Sequence, residues 1–135
     1  MNIYGIGTDI VRVDRIQEMM AKHPGTFLKR VYTKCEIEYC SGRKAEAQHF
    51  AGRWAAKEAI LKAFGTGWSK GIQWTDMEIH NEMGGKPTVR LAGAARELCE
   101  QRGISQVLIS ISHTADNAIA FATAVSDPIG DSDID

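Results

Sequence analysis

One carboxylate of this sequence lies in an apolar setting where its charge needs a partner. Asp9 is the only acidic residue of the stretch GIGTDIV, whose other side chains are typical of a strand. Burial of an unpartnered carboxylate is costly or raises its pKa. A divalent cation shared with a second carboxylate would compensate the charge, because Mg²⁺ binds one or two protein carboxylates together with water and phosphate oxygens. The alternative is an aspartate at the edge of a strand that caps a turn.

A second candidate carboxylate is Glu58, in the stretch QHFAGRWAAKEAILK. At about 100° per residue, the apolar side chains of this stretch form a narrow stripe that faces the core, and the stripe consists of Phe50, Trp54 and Leu61. Glu58 lies beside the stripe with Lys62 one turn further on, whereas Arg53 flanks the other edge. The same geometry is also explained by a surface pair of Glu58 and Lys62, worth about 0.3–0.5 kcal/mol, and a solvated Arg53.

Two glycines follow this helix in the stretch FGTG. Gly65 and Gly67 permit a close approach of the backbone to a ligand phosphate. Gly65 is explained equally well as the residue that ends the helix.

The third candidate is His113, in the stretch SISHTADNAIAF, where an apolar run breaks into a turn. A histidine at such a junction is most often a hydrogen-bonded structural residue, yet an ordinary pKa of about 6.5 makes it the readiest base or phosphate contact. His23, His49 and His80 have no comparable setting. Ser112 does not form a hydrolase dyad with His113, because neighbours on a strand point to opposite faces.

The elements that position these residues are predicted from periodicity and capping signals. Helices are expected at 14–23, where Asp14 caps the first turn, and at 26–31, 45–63 and 92–102, with a capping box at Thr33 and Glu36. Strands are expected at 3–13, with glycine close approaches, and at 77–80, 88–91, 106–111 and 117–125. Helices early and strands late predict an α+β fold, with an antiparallel sheet packed against the long helix.

Length and composition are typical of one domain, predicted at residues 1–125 and followed by an acidic, frayed tail at 126–135. The sequence has no run of about 18 apolar residues and no basic leader before a hydrophobic segment. We therefore expect a cytoplasmic protein that binds neither membrane nor nucleic acid. The three cysteines match no zinc or redox spacing and are expected to stay reduced.

Charge is unevenly distributed along the chain. Residues 1–75 carry 12 Lys/Arg against 7 Asp/Glu, whereas residues 76–135 carry 4 against 10. The basic first half suits an anionic ligand or partner, although a single fold can mix these charges over its surface.

Three stretches taken together resemble the holo-acyl-carrier-protein synthase type of 4′-phosphopantetheinyl transferase. They are GIGTDIVRVDRI, FAGRWAAKEAILKAFGTG and ISISHT, in the family's order and at its usual separations. The resemblance implies a Mg²⁺-dependent transfer of 4′-phosphopantetheine from coenzyme A to a serine of apo acyl carrier protein, in fatty acid biosynthesis. The other product is 3′,5′-ADP.

The resemblance also implies roles for individual residues. Asp9 and Glu58 occupy the positions of the Mg²⁺ ligands, and Glu58, Lys62 and His113 those of catalytic residues. Coenzyme A contacts are implied for Arg53, at the 3′-phosphate, and for Lys62, Gly65, Gly67, Lys86, Pro87 and His113. A hairpin turn explains Lys86 and Pro87 equally well. Arg15 matches a contact to the acidic carrier protein. The general base stays open between His113, Glu58 and a metal-bound water.

The resemblance to the family's compact members also implies a homotrimer with an active site at each subunit interface. Asp9 would then meet Glu58 of the neighbouring subunit or of its own chain. Two other classes stay open: a non-catalytic module that binds a carrier protein or nucleotide, and a Mg²⁺-dependent phosphohydrolase that needs no carrier.

Overall fold

The computed structural model describes residues 1–127 of the chain. The helices are α1 (Val13–Lys22), α2 (Thr26–Val31), α3 (Lys34–Cys40), α4 (Glu46–Phe64) and α5 (Gly93–Arg102), with a 3₁₀ turn at Trp74–Asp76. The strands are β1 (Asn2–Arg12), β2 (Met77–Asn81), β3 (Pro87–Leu91), β4 (Ile104–His113) and β5 (Asn117–Ser126). Every predicted element is present, with ends that differ by one or two residues.

A three-stranded antiparallel sheet packs against α4. Its strand order is β1-β5-β4, and β2 and β3 form a separate antiparallel hairpin. One sheet face is covered by α4, and four small side chains of β5 line that face: Ala118, Ala120, Ala122 and Ala124. The predicted α+β fold, an antiparallel sheet against a long helix, is confirmed.

Glycines of β1 bring this strand into contact with the backbone of α4. A Cβ atom at Gly7 would lie 2.0 Å from the carbonyl oxygen of Ala59, and one at Gly5 would lie 2.1 Å from that of Ala63. The predicted close approach is therefore confirmed. Asp9 continues the same alternation, so its side chain also points at α4.

α4 is buried on nearly all sides and not only along one stripe. Phe50 and Leu61 are buried as predicted, but Lys57 is also fully buried. Its ammonium group donates to a carboxylate oxygen of Glu36 at 2.7 Å and to the carbonyl of Val31 at 2.7 Å. The second oxygen of Glu36 accepts from the amide of Ile79 at 3.1 Å. The capping-box glutamate is thus also half of a buried ion pair, which ties α3, α4 and β2 together.

The predicted N-cap of α1 is wrong. Arg12 holds the N-cap position without a side-chain cap, and Asp14 lies inside the first turn, 3.4 Å from the guanidinium of Arg12. β1 runs directly into α1, and the amide of Val13 donates to the carbonyl of Asp116 at 2.8 Å. A backbone carbonyl from the β4–β5 turn therefore satisfies the amide of the first helical residue.

Ser126, the first residue of the predicted tail, pairs with Asn2 in the sheet. The rest of that tail, from residue 128 onwards, lies outside the described residues. In the described part of the chain, the helices are too short or too polar to cross a lipid bilayer.

Candidate active site

Asp9 lies in the middle of β1, opposite Ala120, with a side chain that is 17% exposed. The ammonium group of Lys62 lies 3.1 Å from one of its carboxylate oxygens and 2.9 Å from the carbonyl oxygen of Thr8. Asp9 is therefore not a turn cap. Its charge has a partner on α4, inside the same chain.

Glu58 precedes Lys62 by one helical turn and is half-buried. Burial raises the pKa of its carboxyl group, and the nearby charge of Asp9 raises it further. Lys62, Arg15 and a hydrogen bond from Trp68 act in the opposite direction on that pKa. Asp9, Glu58, Lys62 and Arg15 form one electrostatic cluster, called here the carboxylate site. Because Lys62 bonds to Asp9, it is more than the surface partner of Glu58.

The donor atoms of the carboxylate site are suited to a hard cation. The described residues contain no group of three or more His, Cys, Asp or Glu side chains that could hold a metal ion. Mg²⁺ needs fewer protein ligands, since one or two carboxylates suffice when water and phosphate supply the remaining oxygens. Asp9 and Glu58 fit that requirement.

The loop after α4 begins with a residue in a left-handed conformation. Gly65 has φ of 78°, and its amide donates to the carbonyls of Leu61 at 3.0 Å and Lys62 at 3.1 Å. Gly65 therefore ends the helix, as one of its two interpretations predicted. Gly67 is also left-handed, with φ of 59°. A phosphate contact of either glycine stays a prediction.

His113 borders a second cleft, with a volume of about 250 Å³. The cleft, called here the His113 cleft, is lined by Tyr39, Gln48, His49, Gly52, Arg53, Asn81, Gly85, Pro87, Ile111 and His113. Three residues predicted to contact the nucleotide, Arg53, Pro87 and His113, thus share one wall. Lys86 is exposed and does not line the cleft.

Arg53 places a buried guanidinium in the His113 cleft. It is 4% exposed and donates to the side-chain oxygen of Asn81 at 2.8 Å. Its Nε atom is buried and has no hydrogen-bond partner in the described structure, with an oxygen of Glu36 at 3.9 Å. The alternative prediction of a solvated Arg53 is therefore wrong. The Nε donor of its guanidinium group is unused in the described structure.

The end of β4 holds His113 against α4. His113 pairs with Ala118, which faces the helix, while Ser112 pairs with Ile119, so the two neighbours point to opposite faces as predicted. A tight turn follows, in which the amide of Thr114 donates to the carbonyl of Asn117 at 2.8 Å.

His49 was missed by the sequence interpretation, which gave it no special setting. Its ring centroid lies 5.8 Å from that of His113 and 5.9 Å from that of Tyr39. Burial lowers the pKa of His49, and the positive charges of His113, Arg43 and Arg53 lower it further. The available signal was its spacing, four residues before Arg53, which puts both side chains on one side of a helix.

The carboxylate site and the His113 cleft lie on different sides of α4. Asp9 is on one edge strand of the sheet and His113 on the other, about 10 Å apart in sheet width. On α4, Arg53 and Glu58 are five residues apart, which corresponds to about 140° around the helix. One chain therefore presents two separate candidate sites.

A third feature is an apolar groove beside α1 and α2. All three tryptophans of the chain belong to one stack, with centroids of Trp68 and Trp74 4.1 Å apart and those of Trp74 and Trp54 4.3 Å apart. Two of these rings face a groove of about 380 Å³, lined by Met19, His23, Thr26, Phe27, Arg30, Val31, Trp54 and Trp74. We call it the aromatic groove.

Known proteins are similar to this chain in both sequence and structure. The 4′-phosphopantetheinyl transferase superfamily model matches residues 5–122. A holo-[acyl-carrier-protein] synthase of Geotalea daltonii is 48% identical over 118 residues, which cover 87% of this chain and 94% of that protein. The crystal structure of the Neisseria meningitidis holo-[acyl-carrier-protein] synthase has a TM-score of 0.85 and 35% identity, and covers 92% of this chain and 99% of that one.

A structure with a bound ligand is also similar. The Helicobacter pylori holo-[acyl-carrier-protein] synthase in complex with coenzyme A has a TM-score of 0.79 and 31% identity. The match covers 89% of this chain and 99% of that one.

The chain therefore belongs to the 4′-phosphopantetheinyl transferase superfamily, and as a member of this family it is an enzyme. Within the superfamily it groups with the holo-[acyl-carrier-protein] synthases, as the three motifs predicted.

Proposed function

We propose that this enzyme transfers 4′-phosphopantetheine from coenzyme A to a serine of apo acyl carrier protein, with Mg²⁺, in the cytoplasm and for fatty acid biosynthesis. The serine oxygen attacks the phosphorus that bears the pantetheine arm. A new P–O bond forms there, the P–O bond to the second phosphate breaks, and 3′,5′-ADP leaves with the electron pair. The observation that carries the proposal is the carboxylate site, in which Asp9 and Glu58 lie beside Lys62.

The carboxylate site is proposed to act on the diphosphate. Asp9 and Glu58 would hold Mg²⁺, which neutralises diphosphate charge and stabilises the leaving oxygen when bound. Lys62 places a positive charge at the same point, because its ammonium group lies beside Asp9. The serine proton is lost during attack, and Glu58 and His113 are the side chains of the proposed site that can accept it.

The His113 cleft is proposed to bind the nucleotide end of coenzyme A. An arginine fork suits a phosphate dianion, and Arg53 has a buried Nε donor without a partner among the described residues. Gly85, Pro87 and His113 line the same cleft, and Lys86 lies between Gly85 and Pro87 in the sequence. The loop at Gly65 and Gly67 is proposed to approach the phosphates from the carboxylate site.

A homotrimer would join the carboxylate site and the His113 cleft, as two halves of one active site, across a subunit interface. The sheet face that points away from α4 is strongly apolar and exposed, with Ile6 72%, Ile10 64%, Phe121 55% and Leu108 46% exposed. A patch of this kind marks an interaction surface. We propose that it packs against two other copies, so that the His113 cleft of one protomer faces the carboxylate site of the next. Sedimentation velocity tests this state, and a monomer at micromolar concentration would contradict it.

Arg15 is proposed to contact the acidic carrier protein. It is exposed on α1 and contributes to the electrostatic field at Glu58. Met19, one turn further along α1, lines the aromatic groove together with Arg30. Steering by such charges is salt-sensitive. Arg15→Glu is expected to raise the KM for the carrier protein by a larger factor than the KM for coenzyme A.

A transfer assay tests the proposed function. The protein is mixed with coenzyme A, Mg²⁺ and an apo carrier protein, and the carrier is expected to gain the mass of one phosphopantetheine group. Asp9→Asn and Glu58→Gln should each lower the rate by at least about 10²-fold while folding normally. Glu97→Gln, on the exposed side of α5, is the matched control and should change nothing.

The same assay separates the other two classes. A phosphohydrolase would release 3′,5′-ADP at full rate when the carrier is omitted. A non-catalytic module would bind coenzyme A and leave the carrier mass unchanged. Either result contradicts the transferase.

A further inference from the structure

The first turn of α4 contributes an imidazole to the wall of the His113 cleft. His49 lines this cleft together with His113 and Arg53. The rings of His49 and His113 meet edge to face, with an interplanar angle of 69°, and Tyr39 packs edge-on against His49 at 88°. His49 is therefore held by two aromatic contacts in a position that borders open space.

The His113 cleft is lined by basic and hydrogen-bond-donating side chains and by no acidic side chain. Its lining residues, all of them described, include two histidines and Arg53 but no aspartate or glutamate. The nearest carboxylate to Arg53 belongs to Glu36, whose oxygens already accept from Lys57 at 2.7 Å, from the amide of Thr33 at 2.9 Å and from the amide of Ile79 at 3.1 Å. The Nε atom of Arg53 lies 3.9 Å from that carboxylate and has no hydrogen-bond partner among the described residues.

The electrostatic field at His49 is consistent with this arrangement. After burial, the causes that lower its pKa are the positive charges of His113, Arg43 and Arg53. His49 also belongs to the first turn of a 19-residue helix, where backbone amides favour negative charge. A phosphate dianion bound in the cleft beside the two imidazoles would offset these positive charges.

We propose that His49 is a further nucleotide-binding residue, which contacts the phosphate held by Arg53 and His113 and so selects a donor that carries a 3′-phosphate. The inference rests on the proposed function, because it assumes that a coenzyme A nucleotide occupies this cleft. It adds a binding residue that the three sequence motifs do not contain. The chemical class recognised is a nucleoside phosphate with a dianionic group on the ribose.

Calorimetric titration with two nucleotides tests this role. The ligands are 3′,5′-ADP and 5′-AMP, which differ only in the phosphate on the 3′-hydroxyl of the ribose. His49→Phe keeps a ring against His113 and Tyr39 but removes both nitrogens, whereas His49→Gln keeps a hydrogen-bond donor. His80→Gln is the control, since His80 pairs with Glu78 on β2 and does not line the cleft.

His49→Phe is expected to weaken the binding of 3′,5′-ADP about tenfold or more and to leave the affinity for 5′-AMP within about twofold of the wild type. His49→Gln should recover most of that loss, and His80→Gln should match the wild type. Equal weakening of both nucleotides would reveal a packing role and overturn the proposal, as would unchanged affinity for 3′,5′-ADP. If the wild type binds neither nucleotide, the His113 cleft is not a nucleotide-binding site and the proposal is contradicted. A wild type that binds 3′,5′-ADP but transfers nothing contradicts only the transferase.

Discussion

The ammonium nitrogen of Lys62 lies 3.1 Å from a carboxylate oxygen of Asp9, across the contact between α4 and β1. The two residues are 53 positions apart in the chain, so the pair depends on the fold. Asp9 also raises the pKa of Glu58, after the larger effect of burial. Lys62 thus offsets charge between two carboxylates of the same chain.

Replacement of Lys62 by methionine should change kcat and the affinity for Mg²⁺ in opposite directions. Loss of the ammonium group removes stabilisation of diphosphate charge, and we expect kcat to fall about 10²-fold. Affinity for Mg²⁺ should rise, because a positive charge leaves the neighbourhood of both carboxylates. Kinetics at saturating substrates and calorimetry with Mg²⁺ measure the two effects. Lys44→Met, at an exposed position, is the control, and a variant with normal kcat would remove Lys62 from the reaction.

The close packing of β1 against α4 should require a glycine at position 7. A Cβ atom there would lie 2.0 Å from the carbonyl oxygen of Ala59, so Gly7→Ala must push the strand away from the helix. We expect a loss of about 1–3 kcal/mol in the free energy of unfolding and a slower transfer, because Asp9 moves with the strand. Gly84→Ala is the matched control, since nothing lies within 4 Å of its Cβ position. Urea unfolding with equal stability for both variants would contradict the packing.

The buried pair of Lys57 and Glu36 should dominate the response to substitution in α3 and α4. Lys57→Met leaves the Glu36 carboxylate buried without its cation, and we expect a cost of about 3–5 kcal/mol. In a Glu36→Gln background the same substitution should cost much less. A double-mutant cycle by denaturant unfolding measures the coupling, and additive effects would show that the two charges do not depend on each other.

His49 should make stability fall in mild acid. Its pKa is lowered from 6.5 in the folded protein, first by burial and then by neighbouring positive charges. The unfolded chain therefore binds the proton more readily, so the stabilising contribution is complete above about pH 6.5 and is lost as pH falls below it. The melting temperature of His49→Phe should drop less than that of the wild type between about pH 8 and about pH 5.5. An equal drop in melting temperature for both proteins across that range would show that protonation of His49 does not destabilise the folded state.

Local patterns were enough to predict most elements and the two carboxylates. The alanine-rich run ending at Gly65 specifies α4, and the glycines beside Asp9 predicted a close approach that the contact with Ala59 confirms. Both signals depend on neighbouring residues and therefore survive without knowledge of the tertiary contacts.

Contacts between distant segments were not predictable in the same way. His49 gains its setting only when the end of β4 meets the first turn of α4, and Lys57 becomes buried only because Glu36 lies opposite it. Asp14 is of a residue type that caps helices, but it lies inside the first turn of α1. The amide of Val13, which begins α1, donates instead to the carbonyl of Asp116. In each case a long-range partner decided between two locally acceptable structures.

The most direct measurement of the central claim is a crystal structure with coenzyme A and Mn²⁺, whose anomalous signal identifies the ion. We expect one cation about 2 Å from an oxygen of Asp9 and an oxygen of Glu58 of the same chain, with diphosphate oxygens completing its coordination. A diphosphate bound away from these two carboxylates, or a cation that touches neither of them, would contradict the account.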